Sequence, residues 1–453
     1  MTQVTFYGGA QAVTGANHLL ETEKTRILVD CGLSQCPRFC EAKNREDFAY
    51  DPSSIDALFV THGHIDHIGR IPKLVRDGFR GVIYSTHPTK DFGALMLEDS
   101  LGILEKEARS DDEKVFYSRE DIDKALSLWK GCDYGEEITV GDITATVHDA
   151  GHILGSAAYI FAFPTEIGTK KIAFTGDLGN SPAPLITPTK LITDVDYLVI
   201  ESVYGDRVHE TTGERKTKLE RVIEDTFSAG GTLMIPAFSL ERTQELLYEI
   251  NELVEHKRIP RVPIFIDSPL AIKATRIYAA YTTYFSKEAQ KLIKEGDDLF
   301  KFPGLKLTEE TEESKAIANV PPPKIIIAGS GMMHGGRIAH HAKRYLPDPK
   351  STLLFIGYQA AGSMGRRIYD GAKDIMIHGE TVPIRAHIKA IGGYSAHADS
   401  DALFEYVEHT ASTLKTVFVV QGEPKSALFL AQRIKDNLGI DAKAPKQEDT
   451  FNL

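Results

Sequence analysis

The stretch Thr61-His62-Gly63-His64-Ile65-Asp66-His67 decides the reading of this chain. It sets three imidazoles and one carboxylate within six residues, directly after an apolar run, 55–60, that reads as a buried strand. Imidazole and carboxylate are donors suited to zinc, and zinc sites that leave a position open for water are the hydrolytic ones. In such a cluster His62 and His64 can bind one metal from the same side of a loop, while Asp66 and His67 point towards a second.

Three further residues sit at the ends of strand-like runs. Asp30 closes the apolar run 27–29 and precedes Cys31-Gly32; His152 lies in the turn Ala150-Gly151-His152; Asp177 follows the run 171–175 in Thr175-Gly176-Asp177. Taken singly, His152 or Asp177 reads equally well as an ordinary turn residue. Their order and spacing behind the histidine cluster resemble the metallo-β-lactamase superfamily. The resemblance implies an αββα sandwich in which His62, His64 and His152 hold one zinc ion, Asp66 and His67 hold a second, and Asp177 bridges the two. Asp30 would then orient a ligand by a hydrogen bond.

A chain of 453 residues is too long for one ordinary core and implies two or three domains. Its 42% hydrophobic and 26% charged composition is that of a soluble globular protein. No apolar run is long enough for a membrane span, and the start 1–6 lacks a basic region followed by an apolar one, so a cytoplasmic protein without membrane association is expected. The four cysteines, Cys31, Cys36, Cys40 and Cys132, follow no zinc-ribbon or redox spacing and read as reduced packing residues. The net charge of −12 disfavours general nucleic-acid affinity, so any polyanion binding must come from locally concentrated Lys and Arg.

Residues 1–206 alternate strands and turns, with helices expected over 90–109 and 121–130, the second opened by the capping-box spacing Ser118-Arg119-Glu120-Asp121. After 206 the pattern becomes strand and helix in alternation: helix 215–228, strand 232–236, a helix from about Thr243, strand 263–267, a helix from Pro269, an irregular stretch 303–323, then strands 324–328 and 352–357. That alternation indicates a parallel α/β sheet. Strands are expected again at 388–391 and 416–420. The reading is a metallo-β-lactamase body made of 1–206 and 388–453, with an α/β domain, 207–387, inserted between its two parts.

The inserted domain and the segments flanking it resemble the β-CASP nucleases, of the ribonuclease J and cleavage-and-polyadenylation type. The matching residues are Glu201 in Glu201-Ser202-Val203-Tyr204-Gly205-Asp206-Arg207, then Pro236-Ala237-Phe238 with Arg242-Thr243-Gln244-Glu245, Gly329-Ser330-Gly331-Met332, Gly335-Gly336-Arg337, Gly357-Tyr358-Gln359-Ala360, and Tyr394-Ser395-Ala396-His397. The resemblance implies a zinc-dependent ribonuclease acting on single-stranded RNA, with Asp66, His397 and Glu201 catalytic. His397 would protonate the leaving ribose oxygen, and Glu201 would hold and tune it. Ser330, Gly331, Arg242 and Ser395 are the candidate phosphate contacts, with Arg337, Arg366 and Arg367 as further candidates on the inserted domain. The tyrosine-serine-alanine-histidine form favours RNA over DNA, and a narrow cleft against the inserted domain suits single strands.

One position departs from the family. Where it usually places a histidine ligand of the second metal, in a His-Gly-Glu turn, this chain reads Val420-Gln421-Gly422-Glu423-Pro424. A carboxamide oxygen is a weak neutral ligand, so Gln421 is at most a weak metal position and the second ion is expected to bind less tightly. His378-Gly379-Glu380 repeats the motif upstream of His397 and reads as structural. The residues leave internal and 5′-to-3′ attack both open. With the body starting within a few residues of Met1, RNA affinity is expected from a homodimer or an accessory RNA-binding partner. The competing readings are a hydrolase of another ester or small phosphodiester, a catalytically weakened scaffold paralogue with Gln421 as its first loss, and a stand-alone binding module.

Overall fold

Along the strand Ala157–Thr165, Ala157, Tyr159, Phe161 and Phe163 point into one core, while Ala158 and Ile160 point into another. That period of two is what a strand between two covered faces requires. It recurs throughout the first of two compact units, which comprises residues 1–182, 187–208 and 397–453. The structure is a computed structural model and describes residues 2–35, 40–111, 115–166, 168–209, 212–357, 359 and 362–453.

This unit holds two seven-stranded sheets. Across the first run Thr450–Asn452, Gln3–Gly8, Asn17–Glu21, Arg26–Val29, Ala57–Phe59, Val82–Thr86 and Trp129–Cys132. Across the second run Asp441–Lys443, Thr416–Val419, Tyr197–Ile200, Gly168–Phe174, Ala157–Thr165, Ile143–Asp149 and Glu137–Val140. Phe6, Val29 and Phe59 of the first meet Tyr159, Phe161 and Phe174 of the second, with Phe59 edge-on to Phe161 at 5.0 Å between centroids. Each such fully buried side chain contributes roughly 1.5–3 kcal/mol relative to exposure. The outer face of the first sheet packs Leu28, Leu58 and Ile83 against helix residues Leu74, Leu97 and Ile122. That of the second packs Leu198 and Val417 against Leu403 and Leu430. The result is the expected αββα sandwich.

The second unit, residues 183–186 and 209–396, is built on a six-stranded sheet ordered Leu305–Leu307, Ile264–Asp267, Lys324–Ala328, Thr232–Pro236, Thr352–Phe355 and His387–Ala390, parallel at every pairing. Ile264, Ile266, Ile325 and Ile327 enter the core on one face; Phe265, Ile326 and Ala328 enter the core on the other. Burial on both faces explains why these strands read as unbroken apolar runs.

Several expectations are corrected. His387–Ala390 hydrogen-bonds parallel to Thr352–Phe355, so residues from 388 to 396 belong to the second unit, and the body resumes at His397 rather than at 388. The helix expected over 121–130 spans Arg119–Leu128, because Trp129 and Lys130 pair with Ile83 and Tyr84 as a strand. Ser118 and Asp121 do form its capping box. The stretch 303–323 is not irregular throughout: Leu305–Leu307 pairs with Ile264–Asp267, and Thr311–Ala316 is helical. Beyond the strands expected, Asp441–Lys443 and Thr450–Asn452 extend the edges of both sheets. Cys31 and Cys132 are buried free thiols, and burial pushes both up to about 12. Cys36, Tyr358 and Ala360 lie outside the described residues.

Candidate active site

The chemistry-bearing side chains gather because each stands one to three residues past the C-terminal end of a strand: Asp30 after Arg26–Val29, His62 after Ala57–Phe59, His152 after Ile143–Asp149, Asp177 after Gly168–Phe174, Glu201 after Tyr197–Ile200 and Gln421 after Thr416–Val419. Carboxyl ends of sheet strands are where such folds place their sites. His64 caps the four-residue helix Ile65–Ile68, which carries Asp66 and His67. Gly32 makes room for this turn: a Cβ there would stand 1.5 Å from the Asp66 carbonyl oxygen.

Asp30 is the keystone of the cluster. One carboxylate oxygen accepts from Thr61 N at 2.8 Å, and the other accepts from Thr61 Oγ1 at 2.8 Å and lies 2.8 Å from His67 Nδ1. This fixes the His67 ring with Nδ1 against Asp30 and Nε2 turned towards the centre, the orientation a metal ligand needs. Thr61 is a supporting residue that sequence reasoning missed; its signal is its place directly before the first histidine.

His62 Nε2 lies 3.0 Å from His64 Nδ1 and 3.5 Å from Asp177 Oδ2; His152 Nε2 lies 3.3 Å from His64 Nδ1 and 3.6 Å from Asp177 Oδ2. One ligand atom from each of His62, His64, His152 and Asp177 lies within 4.8 Å of all the others. Burial drives His62 well below its ordinary pKa, keeping the ring a neutral donor. Burial works against charge on Asp177, but the His67 ring beside it outweighs this and holds the carboxyl well below its usual range. Three converging imidazoles and a carboxylate are a donor set that fits a zinc ion.

Asp66 and His67 are differently placed. His67 Nε2 stands 3.9 Å from Asp66 Oδ2 and 3.5 Å from Asp177 Oδ1. Among the described residues these three do not form a group as tight as the first. Burial raises the Asp66 pKa, with His67 opposing. Gln421 reaches both His67 and Asp177, at 2.9 and 2.8 Å from its amide nitrogen.

His397 and Glu201 meet as expected. His397 Nδ1 lies 3.2 Å from Glu201 Oε2 and 3.8 Å from Asp177 Oδ2, and the ring stands 4.6 Å from that of His152. Glu201 is fully buried and accepts from Leu178 N; burial raises its pKa against the pull of His397. The His397 backbone is fixed by its bridge to Gly179 and by Ala398 N donating to Leu178 O at 2.8 Å. Its side chain keeps 21% exposure, enough to meet a substrate.

The candidate phosphate contacts belong to the second unit. Ser330 and Gly331 follow Lys324–Ala328, and Arg242 opens the helix Arg242–Glu255 after Thr232–Pro236, so both stand at carboxyl ends of the parallel sheet. Ser395 ends a turn anchored by Arg215, a residue sequence reading missed. Arg215 donates to the Gly393 carbonyl at 2.9 Å, pairs with Glu249 at 2.7 Å and covers the Tyr394 ring. Arg337 is not available as a phosphate clamp: it donates to Asp267 at 2.8 Å and to the Thr308 carbonyl at 2.7 Å. Arg366 pairs with Asp370 at 2.9 Å. His378 is exposed at the turn of the hairpin Asp374–Ile377 and Glu380–Pro383, stacked on His340.

Strand-end imidazoles and a carboxylate converging beside a histidine–glutamate pair define the centre of a metal-dependent hydrolase. Comparison with known proteins gives the family. Residues 19–173 match the metallo-beta-lactamase superfamily domain, 243–368 the Beta-Casp domain, and 381–445 the Zn-dependent metallo-hydrolase RNA specificity domain. The chain is 37% identical to ribonuclease TTHA0252 of Thermus thermophilus over 94% of both proteins. It is 33% identical to transcription termination factor FttA of Methanosarcina mazei, over 100% of this chain and 71% of that one. A crystal structure of a protein of unknown function from Enterococcus faecalis superposes over both full chains with a TM-score of 0.60 at 13% identity, a likeness of fold alone. The chain belongs to the β-CASP family of metallo-β-lactamase-fold RNA nucleases, and it is a metal-dependent hydrolase of RNA.

Proposed function

We propose that this protein cuts single-stranded RNA internally by phosphodiester hydrolysis at the centre around His62, His64, His152 and Asp177. The observation that carries the reading is the convergence of those four donors beside the His397–Glu201 pair. They would hold one zinc ion; Asp66 and His67, with Asp177 shared, are the remaining donors for the second ion the family resemblance implies. Bound zinc supplies positive charge that favours ionisation of water near neutral pH and offsets charge on the phosphoryl oxygens.

The chain's own groups account for the rest. Asp66 accepts a hydrogen bond from the attacking water and turns its oxygen towards phosphorus. As that oxygen bonds to phosphorus it gives a proton to Asp66, the bond to the ribose 3′ oxygen breaks, and His397 delivers its proton there, giving a 3′ hydroxyl and a 5′ phosphate. Glu201 keeps the imidazole oriented and favours its protonated form. Ser330, Gly331, Arg242 and Ser395 are the groups we assign to the RNA backbone, in keeping with sequence-independent phosphate contacts.

The two buried free thiols support a reducing, cytoplasmic setting. Among the described residues no helix is long and apolar enough to cross a membrane. A net charge of −12 supports a homodimer or accessory RNA-binding partner as a source of affinity. The test is cleavage of a 5′-labelled single-stranded RNA by zinc-loaded protein, resolved on a sequencing gel beside Asp66→Ala. Internal fragments from the wild type alone are expected. Release of mononucleotides from the 5′ end would replace the endonuclease by an exonuclease, and no cleavage by zinc-loaded protein would refute an autonomous nuclease.

A further inference from the structure

Gln421 does more than replace a ligand by a weaker one. Its side chain is buried, at 3% exposure, and is held from behind. The backbone N–H donates to the Gly9 carbonyl at 2.6 Å, and a Cβ built on Gly9 would stand 3.2 Å from Gln421 Cγ, so the chain there is packed around the glutamine stem. From that base the amide nitrogen reaches Asp177 Oδ1 at 2.8 Å and His67 Nε2 at 2.9 Å.

An amide NH2 has two donors and no lone pair for a metal. The opposite orientation would set the amide oxygen against the Asp177 carboxylate, so the donor face is the one turned inward. Asp30 holds the other ring nitrogen of His67, at 2.8 Å from Nδ1, so Nε2 is the one turned towards Gln421. The amide nitrogen therefore stands against one atom of each of the two residues that a second cation would share, His67 Nε2 and Asp177 Oδ1. Asp177 divides its oxygens accordingly: Oδ2 faces His62 and His152, and Oδ1 faces Gln421. The first donor group is complete without Gln421; among the described residues the second is not as tight, since Asp66 Oδ2 stands 3.9 Å from His67 Nε2.

We propose that the side-chain amide of Gln421 closes the second metal position, so that this protein holds one divalent ion tightly, at His62, His64, His152 and Asp177, and none of comparable affinity at Asp66 and His67. The inference rests on the metal-hydrolase reading of the same centre. It also gives His67 a different task in this chain: tied to Asp30 on one side and Gln421 on the other, it braces the loop that carries Asp66.

The test is metal content of the full chain, stripped with chelator, reloaded with excess zinc, desalted and assayed by mass spectrometry, with cobalt titration followed by absorbance as a second readout. The variants are Gln421→Glu, which keeps the shape but turns the donor into a charged acceptor, and Gln421→Ala, which empties the position. Wild type should retain about one ion per chain and titrate in one step, while Gln421→Glu should retain about two, its second step at least about tenfold tighter than any in the wild type. His152→Ala should lose the single wild-type ion. Two equally tight ions in the wild type would overturn the proposal and leave the hydrolase reading intact. No ion in the wild type would overturn both. A single ion in both folded variants would show that the amide is not what excludes the second. Should neither variant fold, the wild-type count decides alone.

Discussion

His18 lies in the core between the two sheets, at 2% exposure, edge-on to Phe6 at 5.3 Å and stacked with Phe174 at 6.0 Å. Neither ring nitrogen has a hydrogen-bond partner among the described residues, and burial pushes its pKa down to about 3. The unfolded ring titrates at about 6.5. Between those values the unfolded chain binds a proton that the native one does not, so stability rises with pH across that window. This contribution is fully present above about 6.5 and is lost progressively as pH falls. At about pH 5 the loss is RT ln(1 + 10^1.5), or about 2 kcal/mol, against less than about 0.1 kcal/mol at about pH 7.5. The perturbation is His18→Phe, close in shape and without a titratable group. The assay is urea unfolding of wild type and variant at both pH values. Loss of metal or protonation of carboxylates at the lower pH is common to both proteins and cancels in the difference. The variant should stand within about 1.5 kcal/mol of the wild type at the higher pH and gain about 2 kcal/mol on it at the lower. Parallel pH dependence of the two proteins would refute a neutral, unpartnered His18.

Three further outcomes concern the site and its supports. His397→Asn should lower kcat by about 10²- to 10⁴-fold and remove the high-pH limb of the rate profile, because a protonated imidazole is the proton source; a profile unchanged in shape would reassign that role. Gly32→Ala would drive a methyl group into the Asp66 carbonyl, displacing the turn that carries Asp66; RNA cleavage should fall by about 100-fold, measured with zinc content alongside. In the second unit, Asp267 accepts from Ser314, Thr308 and Arg337 and meets His341 at 2.7 Å; burial works against its charge, but these partners hold its pKa down to about 2. Its stabilisation is present above the unfolded value and lost as pH falls towards 2, and Asp267→Ala should destabilise that unit by about 3–5 kcal/mol in a melt at neutral pH.

The site was legible in the sequence where ligands are neighbours in the chain or stand at the ends of clear apolar runs. His62, His64, Asp66 and His67 announce themselves by density, and His152 and Asp177 by their turns. What sequence could not give was partnership across long separations. Arg215 meets Glu249 from 34 residues away and Gly393 from 178, and nothing in its local pattern distinguishes it from a surface arginine. The boundary expected at 388 failed for a related reason. A short strand-like stretch such as Ile388–Ile391 reads the same in either sheet, and only its pairing with Phe355 decides which one it joins. Asp441–Lys443 and Thr450–Asn452 were missed because strands of three residues with charged or polar members carry no periodicity to read.

Gln421 shows the same limit at the level of chemistry. As a sequence change it reads as a ligand weakened, because the residue type is all that is visible. In the fold, the amide nitrogen stands 2.8 Å from a carboxylate 244 residues away, and a donor there competes with a metal instead of serving it poorly. The two readings separate on isosteric substitution. A weak ligand exchanged for the carboxylate of Gln421→Glu would tighten a second site that the wild type already fills at high zinc. A closed position would gain, in Gln421→Glu, a site that stays empty in the wild type across the zinc range that fills the variant. Raising zinc on the wild-type protein therefore distinguishes poor affinity from exclusion, because mass action can fill a weak site, whereas a cation entering against a buried, packed amide must first displace that side chain.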